Sequence, residues 1–193
     1  MHNVIPREQK NPNPQGKGCV TVLQDWDSLR PQLPGRKRAV EVLRDYCLSS
    51  LVLAAKFRFK PVPGKSYYLY CDEGEWTLSL IAPDEWGQRQ PGDFAAHCCL
   101  RPDMTWQLEF GQLADDGRVR QCLEQFVEAF SATVSRGGAL EDGLPFYVSN
   151  LPYYQRMLAT GLAVSVKHSL GGIGSIDGAA LARPLPALLA QRQ

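Results

Sequence analysis

Apolar and polar residues alternate along the middle of the chain, between Lys65 and Phe110. Alternation with a period of two is typical of a strand that is buried on one face. Turn-forming residues divide this stretch into four runs, which predict four strands. The simplest assembly of these strands is an antiparallel four-stranded meander with one apolar face. The runs cover residues 66–71, 76–81, 94–100 and 106–110.

Three other segments space their apolar residues by three and four positions, as amphipathic helices do. The first runs from Gly35 to about Phe57, the second from Asp115 to about Val134, and the third from Asn150 towards His168. We expect the helices to cover the apolar face of the sheet. The predicted fold class is therefore α+β, with an antiparallel four-stranded meander and helices packed on one face.

The two ends of the chain differ in composition from the middle. Residues 1–34 are rich in Pro and Asn, and proline removes backbone donors, so an extended N-terminal arm is predicted. A single α+β domain is predicted over 35–170, and a Gly-rich linker with a C-terminal tail over 171–193. The pattern assigns no role to residues 137–193. The arm is expected to dock through Val20, Val22, Leu23 and Trp26.

Composition and charge narrow the range of partners. The chain is 44% hydrophobic and 21% charged with a formal net charge of +1, which is ordinary for a soluble globular protein. Its densest basic run, Arg36 to Arg38, is interpreted as a solvated first turn of a helix, so no nucleic-acid partner is expected. The start of the chain lacks a signal-peptide pattern, and no apolar window reaches the roughly 20 residues of a membrane span. A cytoplasmic location without membrane contact is expected.

Residue types that carry catalysis or hold metals are scattered along the chain. The three histidines lie far apart and the six cysteines lack C-x-x-C spacing, so the pattern predicts no metal site, no cofactor and no catalytic set. The cysteines are expected to be reduced and packed as small hydrophobes. Cys98 and Cys99 are expected to point to opposite faces of their strand. A nucleophilic pair of His97 with Cys71 is the weaker alternative to a histidine that only hydrogen-bonds.

The order of motifs in the middle of the chain resembles a known family. A Pro-Gly pair is followed by YYLY, an Ile-x-Pro-x-Glu-Trp-Gly loop, an Asp-Phe pair and a Leu-x-x-Asp-x-x-Trp segment. This order resembles the domain of unknown function family numbered 2452, most strongly over residues 57–110. The resemblance implies no activity, cofactor or catalytic residue, because the family has none assigned. The matching residues are Pro63, Gly64, Tyr67, Tyr68, Leu69, Tyr70, Ile81, Pro83, Glu85, Trp86, Gly87, Asp93, Phe94, Leu100, Asp103 and Trp106.

The second face of the predicted sheet combines aromatic and hydrogen-bonding side chains. Such a mixture is typical of a recognition surface. If Trp76, Leu78, Leu80, Phe94, Ala96, Trp106 and Leu108 lie against the helices, the second face collects Tyr68, Tyr70, Thr77, Ser79, His97, Gln107 and Glu109. Alternation leaves the face of the tyrosines in the first strand open. The candidate binding residues are Tyr68, Tyr70, Ser79, Trp86, His97 and Gln107.

Two classes of function are compatible with this face. The first is a non-enzymatic binding or adaptor module for a protein partner or a small polar ligand. The alternative is a small-molecule enzyme or ligand-binding protein, which requires a concave pocket around His97 and the Trp86 loop. A third arrangement, in which the N-terminal arm or the C-terminal third simply covers the face, is also open.

Overall fold

The chain folds into three helices and one four-stranded antiparallel sheet, so the predicted α+β class is confirmed. The computed structural model describes residues 24, 25, 27–33, 35, 37–111, 117–136 and 151–171. Two short 3-10 turns, Pro83–Glu85 and Gly87–Arg89, lie between the second and third strands. The elements are α1 (Ala39–Ala54), β1 (Ser66–Asp72), β2 (Glu75–Ser79), β3 (Asp93–Leu100), β4 (Trp106–Phe110), α2 (Gly117–Arg136) and α3 (Tyr153–Leu170).

The order of the strands differs from that of a meander. The sheet runs β2-β1-β3-β4, so β1 lies between β2 and β3 and pairs with both. The polar turn at Glu73 and Gly74 joins β1 and β2 as neighbours. Because β2 and β3 are both antiparallel to β1, they run parallel to each other. The connection between them, residues 80–92, is therefore a crossover that passes from one side of β1 to the other, roughly 10 Å, and also returns along the strand direction. Alternation predicted the strands but carried no information about which of them pair.

The helices cover one face of the sheet. In α1, Leu43, Cys47 and Leu51 are fully buried at a spacing of four residues, and α1 packs on both β4 and α3. The sheet residues buried beneath the helices are Tyr67, Leu69, Cys71, Trp76, Leu78, Ala96, Cys98, Leu100, Trp106 and Leu108. Two of the predicted members are absent from this set. Leu80 lies beyond the end of β2 and is 58% exposed, and Phe94 lies on the other face.

A β-bulge in β3 explains the position of Phe94. Leu69 of β1 pairs with Ala96, but the next residue, Tyr70, pairs with Phe94, so Ala95 is an extra residue on β3. One extra residue reverses the parity of the positions before it. Phe94 therefore points away from the helices, together with Tyr70, although strict alternation places it with Ala96.

Ion pairs join the start of α1 to the turn between β3 and β4. The ammonium of Lys37 lies 2.7 Å from a carboxylate oxygen of Asp45 and 2.8 Å from one of Asp103. Arg101 contacts the same Asp45 carboxylate at 3.0 Å. The expectation that the Arg36 to Arg38 run is a solvated turn is therefore corrected for Lys37, which is half-buried between two carboxylates.

The described part of the predicted N-terminal arm is not extended throughout. Residues 24, 25, 27 and 28 are helical, and Asp25 is buried in an ion pair with Lys60 at 2.6 Å. Leu29 is buried in the core, and Gln32 donates a backbone hydrogen bond to the Pro102 carbonyl. Local i to i+4 bonding and the burial of Leu29 together favour a docked turn over an extended chain here.

Other predictions concern residues outside the described part of the chain. They concern the arm before residue 24, the tail after residue 171, and the four predicted docking residues Val20, Val22, Leu23 and Trp26. The described cysteines, Cys47, Cys71, Cys98, Cys99 and Cys122, are free. Cys98 is buried under the helices, and Cys99 lies on the opposite face, as predicted. Within the described residues, no helix has the length and apolarity required to cross a membrane.

Replacing Ser49 is expected to uncouple α1 from β4. The fully buried Ser49 hydroxyl accepts the Trp106 backbone N-H at 2.9 Å, so Ser49→Ala leaves a buried donor unpaired. The free energy of unfolding should fall by about 1–3 kcal/mol. Urea unfolding of Ser49→Ala beside Ser50→Ala measures this, because Ser50 is the half-buried next residue of α1. Equal losses in the two variants would show that the Trp106 hydrogen bond contributes little.

Candidate functional site

The face of the sheet opposite the helices, here called the outer face, carries three rows of side chains around its aromatic residues and a fourth row, Asp72 and Glu75, next to the β1–β2 turn. Strand pairing aligns Glu109 with His97, His97 with Tyr68, and Tyr68 with Ser79, which makes the middle one of the three rows. Side chains within one row are neighbours, because paired residues of adjacent strands point to the same side. The flanking rows are Gln107, Cys99 and Ser66 on one side, and Phe94, Tyr70 and Thr77 on the other.

Five rings on this face form a continuous aromatic cluster. His97 makes T-shaped contacts with Tyr68 and with Phe94, each with ring centroids 5.1 Å apart. Phe94 makes another T-shaped contact with Tyr70 at 5.8 Å. Tyr70 in turn meets the ring of Trp86 at 6.1 Å with the planes almost perpendicular. Edge-to-face packing is a favoured geometry for aromatic pairs, so each ring limits the motion of its neighbours.

The members of the cluster differ in exposure. His97 is exposed, while Tyr68, Phe94 and Trp86 are half-buried and present part of each ring to solvent. Tyr70 is fully buried. It supports the exposed rings from below, so the surface that a partner can contact is made by the other four.

Two hydrogen bonds attach the Trp86 loop, residues 80–92, to the sheet. The Tyr70 hydroxyl donates to the Ile81 carbonyl at 2.8 Å, and the Ile81 N-H donates to the buried Ser79 hydroxyl at 2.9 Å. Glu85 accepts the Ala82 N-H at 2.8 Å and closes the first 3-10 turn. Ser79, predicted as a binding residue, therefore lies under the loop and positions Trp86.

Carboxylates lie on two sides of the aromatic cluster. Glu109 is the exposed neighbour of His97 and accepts a hydrogen bond from the Gln107 side chain at 3.3 Å. Burial raises the pKa of Tyr70, and the nearby charges of Asp84 and Glu85 raise it further. Asp84 and Glu85 are exposed and lie on the loop that leads from β2 across β1 to β3.

The structure separates His97 from Cys71, the predicted alternative partner. Cys71 points towards the helices, whereas His97 is on the other face. Burial also raises the pKa of the Cys71 thiol, which holds it in the unreactive protonated form. Among the described residues, no group of three or more His, Cys, Asp or Glu side chains is placed to bind a metal ion.

Three cavities in the described part of the chain lie away from the aromatic cluster. Two, of about 420 and 480 Å³, border the β1–β2 turn and α2 and share Gly74, Cys122 and Gln125. The third, of about 300 Å³, lies between the start of α1 and β4. None of the three is lined by His97 or Trp86, the residues around which the enzyme alternative requires a pocket.

Comparison with protein families supports the resemblance found in the motifs. Residues 34–129 match the family described as Protein of unknown function (DUF2452). The DUF2452 match covers about half of the chain. It takes in α1, the whole sheet and part of α2, while α3 lies outside it. No solved structure matches the chain.

The residues that carry the DUF2452 resemblance have two kinds of position in the structure. Some build the fold: Tyr67 accepts the Val62 N-H at 2.7 Å, and its ring meets that of the fully buried Trp106. Others, namely Tyr68, Tyr70, Trp86 and Phe94, form the aromatic cluster together with His97. The resemblance therefore includes most of the candidate site.

Five of the six predicted site residues, all except Trp86, sit on the outer face, and Trp86 reaches the cluster from its loop. Sequence reasoning missed Phe94, since no residue type marks the bulge at Ala95. It also missed Glu109 as a candidate, although alternation placed this residue on the same face. The Gln107 side chain is half-buried at the β4 edge and is set apart from the rings.

Proposed function

We propose that this protein is a non-enzymatic binding module that uses the outer face of its sheet to hold a segment of another protein. The observation that carries the proposal is the aromatic cluster, in which Tyr68, Phe94, His97 and Trp86 remain partly or fully exposed although they pack on one another. Aromatic side chains with nearby hydrogen-bonding groups are enriched in protein interfaces.

The cluster is held in place before any partner binds. The buried Tyr70 ring contacts both Phe94 and Trp86, and its hydroxyl is bonded to Ile81. Side chains that are already fixed lose little conformational entropy on binding, which leaves more of the contact energy as affinity. This preorganisation favours binding of a partner to the rings in the positions that they already occupy.

The size of the face limits the kind of partner. Four strands span roughly 14 Å, and three rows of side chains span about 13 Å along the strands. That area of roughly 200 Å² is far below the ~800 Å² that a stable globular interface buries on each partner. A short peptide segment matches this footprint, and a rigid globular surface needs more contact than the outer face supplies.

A photo-crosslinking amino acid at position 97 tests this proposal in cells that produce the protein. We expect a discrete cross-linked species from this position and none from position 164, because Val164 is 47% exposed on α3, outside the sheet. Tyr68→Ala should reduce the yield about tenfold, since this half-exposed ring has the solvent contact that an anchor needs.

Thr77→Ala is the matched control because Thr77 is half-buried on the same face and outside the cluster. Circular dichroism of each variant confirms that folding is intact. Recovery of the same species from positions 97 and 164, or an undiminished yield in Tyr68→Ala, would overturn the proposal.

A further inference from the structure

The charges around the aromatic cluster have one predominant sign. Glu109 stands next to His97 at the β4 side, and the exposed Asp84 and Glu85 stand on the Trp86 loop near Tyr70. Across the outer face and the Trp86 loop, the Lys and Arg residues among those described are Arg89 and Lys56, which is bridged to Thr77 at the β2 edge and paired with Glu75. The carboxylates are Asp72, Glu75, Asp84, Glu85 and Glu109, so five carboxylates against two cations leave this surface negative. Asp93 is not counted, because its side chain lines a cavity on the helical side with Cys71.

Aromatic rings and carboxylates favour the same kind of ligand. The face of an aromatic ring attracts a cation, and arginine combines this attraction with planar stacking on the ring. A carboxylate next to the ring can then accept the guanidinium hydrogen bonds. Tyr68, His97 and Glu109 provide this combination in one row, with Phe94 in contact with the first two.

We propose that the outer face binds a basic peptide segment, with one arginine seated on the Tyr68, His97 and Phe94 rings and with Glu109, next to His97, as its hydrogen-bond acceptor. This inference rests on the proposed function and adds the chemical class of the partner. A second cation of the segment would meet Asp84 and Glu85.

A random peptide library displayed on phage, selected on the full-length protein, tests the partner class. Enriched peptides should carry an excess of Arg and Lys. A synthetic copy of the most enriched peptide is then titrated against the variants. Glu109→Gln is expected to weaken its binding about threefold, and Tyr68→Ala about tenfold. Raising NaCl from about 0.05 to about 0.5 M should weaken binding to the unaltered protein.

Glu73→Gln is the matched control, because it removes one exposed carboxylate from the β1–β2 turn without touching the outer face. Enrichment of neutral or acidic peptides whose binding still requires Tyr68 would overturn the basic class and leave the binding module in place. Basic peptides whose affinity is unchanged in Tyr68→Ala and Glu109→Gln would place the contact elsewhere and overturn the inference. No enrichment at all would also overturn it, and cross-linking at position 97 then decides the proposed function separately.

Discussion

Gly92→Ala is expected to lower the free energy of unfolding by at least about 3 kcal/mol. Gly92 directly precedes β3 and has a φ of +124°, which side chains rarely permit. A Cβ there would lie 2.5 Å from the carbonyl oxygen of Cys71 and 2.7 Å from its carbonyl carbon. Both contacts are to the backbone of the central strand β1, so neither can be relieved by a side-chain rotation.

Gly64→Ala provides the matched control for Gly92→Ala. Gly64 also has a positive φ, +80°, but no atom lies within 4 Å of the position its Cβ would take. Gly64→Ala is therefore expected to lower the free energy of unfolding only by the cost of placing a Cβ at positive φ, about 1–2 kcal/mol. Urea unfolding followed by tryptophan fluorescence compares the two variants. Equal losses would mean that the close approach of Gly92 to β1 does not constrain the sheet.

Asp103→Ala is expected to cost about 3–5 kcal/mol, the usual loss when one member of a buried ion pair is removed. The Asp103 side chain is 8% exposed and pairs with the Lys37 ammonium. It also accepts hydrogen bonds from the backbone N-H and the hydroxyl of Thr105. These bonds hold Met104, which lies between the two residues, at a φ of +63°. The substitution therefore removes the Lys37 partner and releases a strained turn.

The control for Asp103→Ala is Glu41→Gln. Glu41 pairs with Arg38 on the exposed start of α1, where solvent screens the interaction. Thermal or urea unfolding should show a clear loss of stability for Asp103→Ala and almost no change for Glu41→Gln. If both variants unfold like the unaltered protein, the Lys37–Asp103 pair does not contribute to holding α1 on the β3–β4 turn.

The Lys37–Asp103 pair also predicts how stability depends on pH. Burial alone would raise the pKa of Asp103, but hydrogen bonds from Lys37 and Thr105 outweigh it and lower the pKa below the ordinary value of 3.8. A carboxyl group with a lowered pKa in the folded state contributes stability above its unfolded value and loses it as pH falls through its folded value.

Lys37 behaves in the opposite sense. Burial would lower its pKa, but hydrogen bonds to Asp103 and Asp45 raise it above 10.5. Its contribution is therefore present below pH 10.5 and is lost as pH rises through the folded pKa. The difference in unfolding free energy between the unaltered protein and Asp103→Asn should be steady near neutral pH and shrink in acid. A difference that grows as pH falls would contradict the assigned direction for Asp103.

Much of the candidate site followed from the parity of residues along single strands. Alternation places His97 and Glu109 on the face opposite the apolar residues of their strands, and the pairing of β1, β3 and β4 puts Tyr68 in one row with them. The period of α1 was readable in the same way, because Leu43 and Cys47 lie on its buried stripe. Such patterns indicate whether a side chain faces solvent or the core. They can be read from the sequence because they involve only residues that are close to one another in the chain.

Four features were decided only when the chain folded. The order β2-β1-β3-β4 depends on which strands pair, and alternation within a strand does not predict this pairing. The extra residue at Ala95 turned Phe94 to the outer face, and the burial of Tyr70 made it a support for its neighbours. Lys37 forms an ion pair with Asp103, which lies 66 positions away in the sequence. By itself the sequence determined the elements and their apolar faces, because these depend on near neighbours. Strand order, the bulge and the long-range ion pair depend on distant backbone segments meeting, which only the tertiary structure decides.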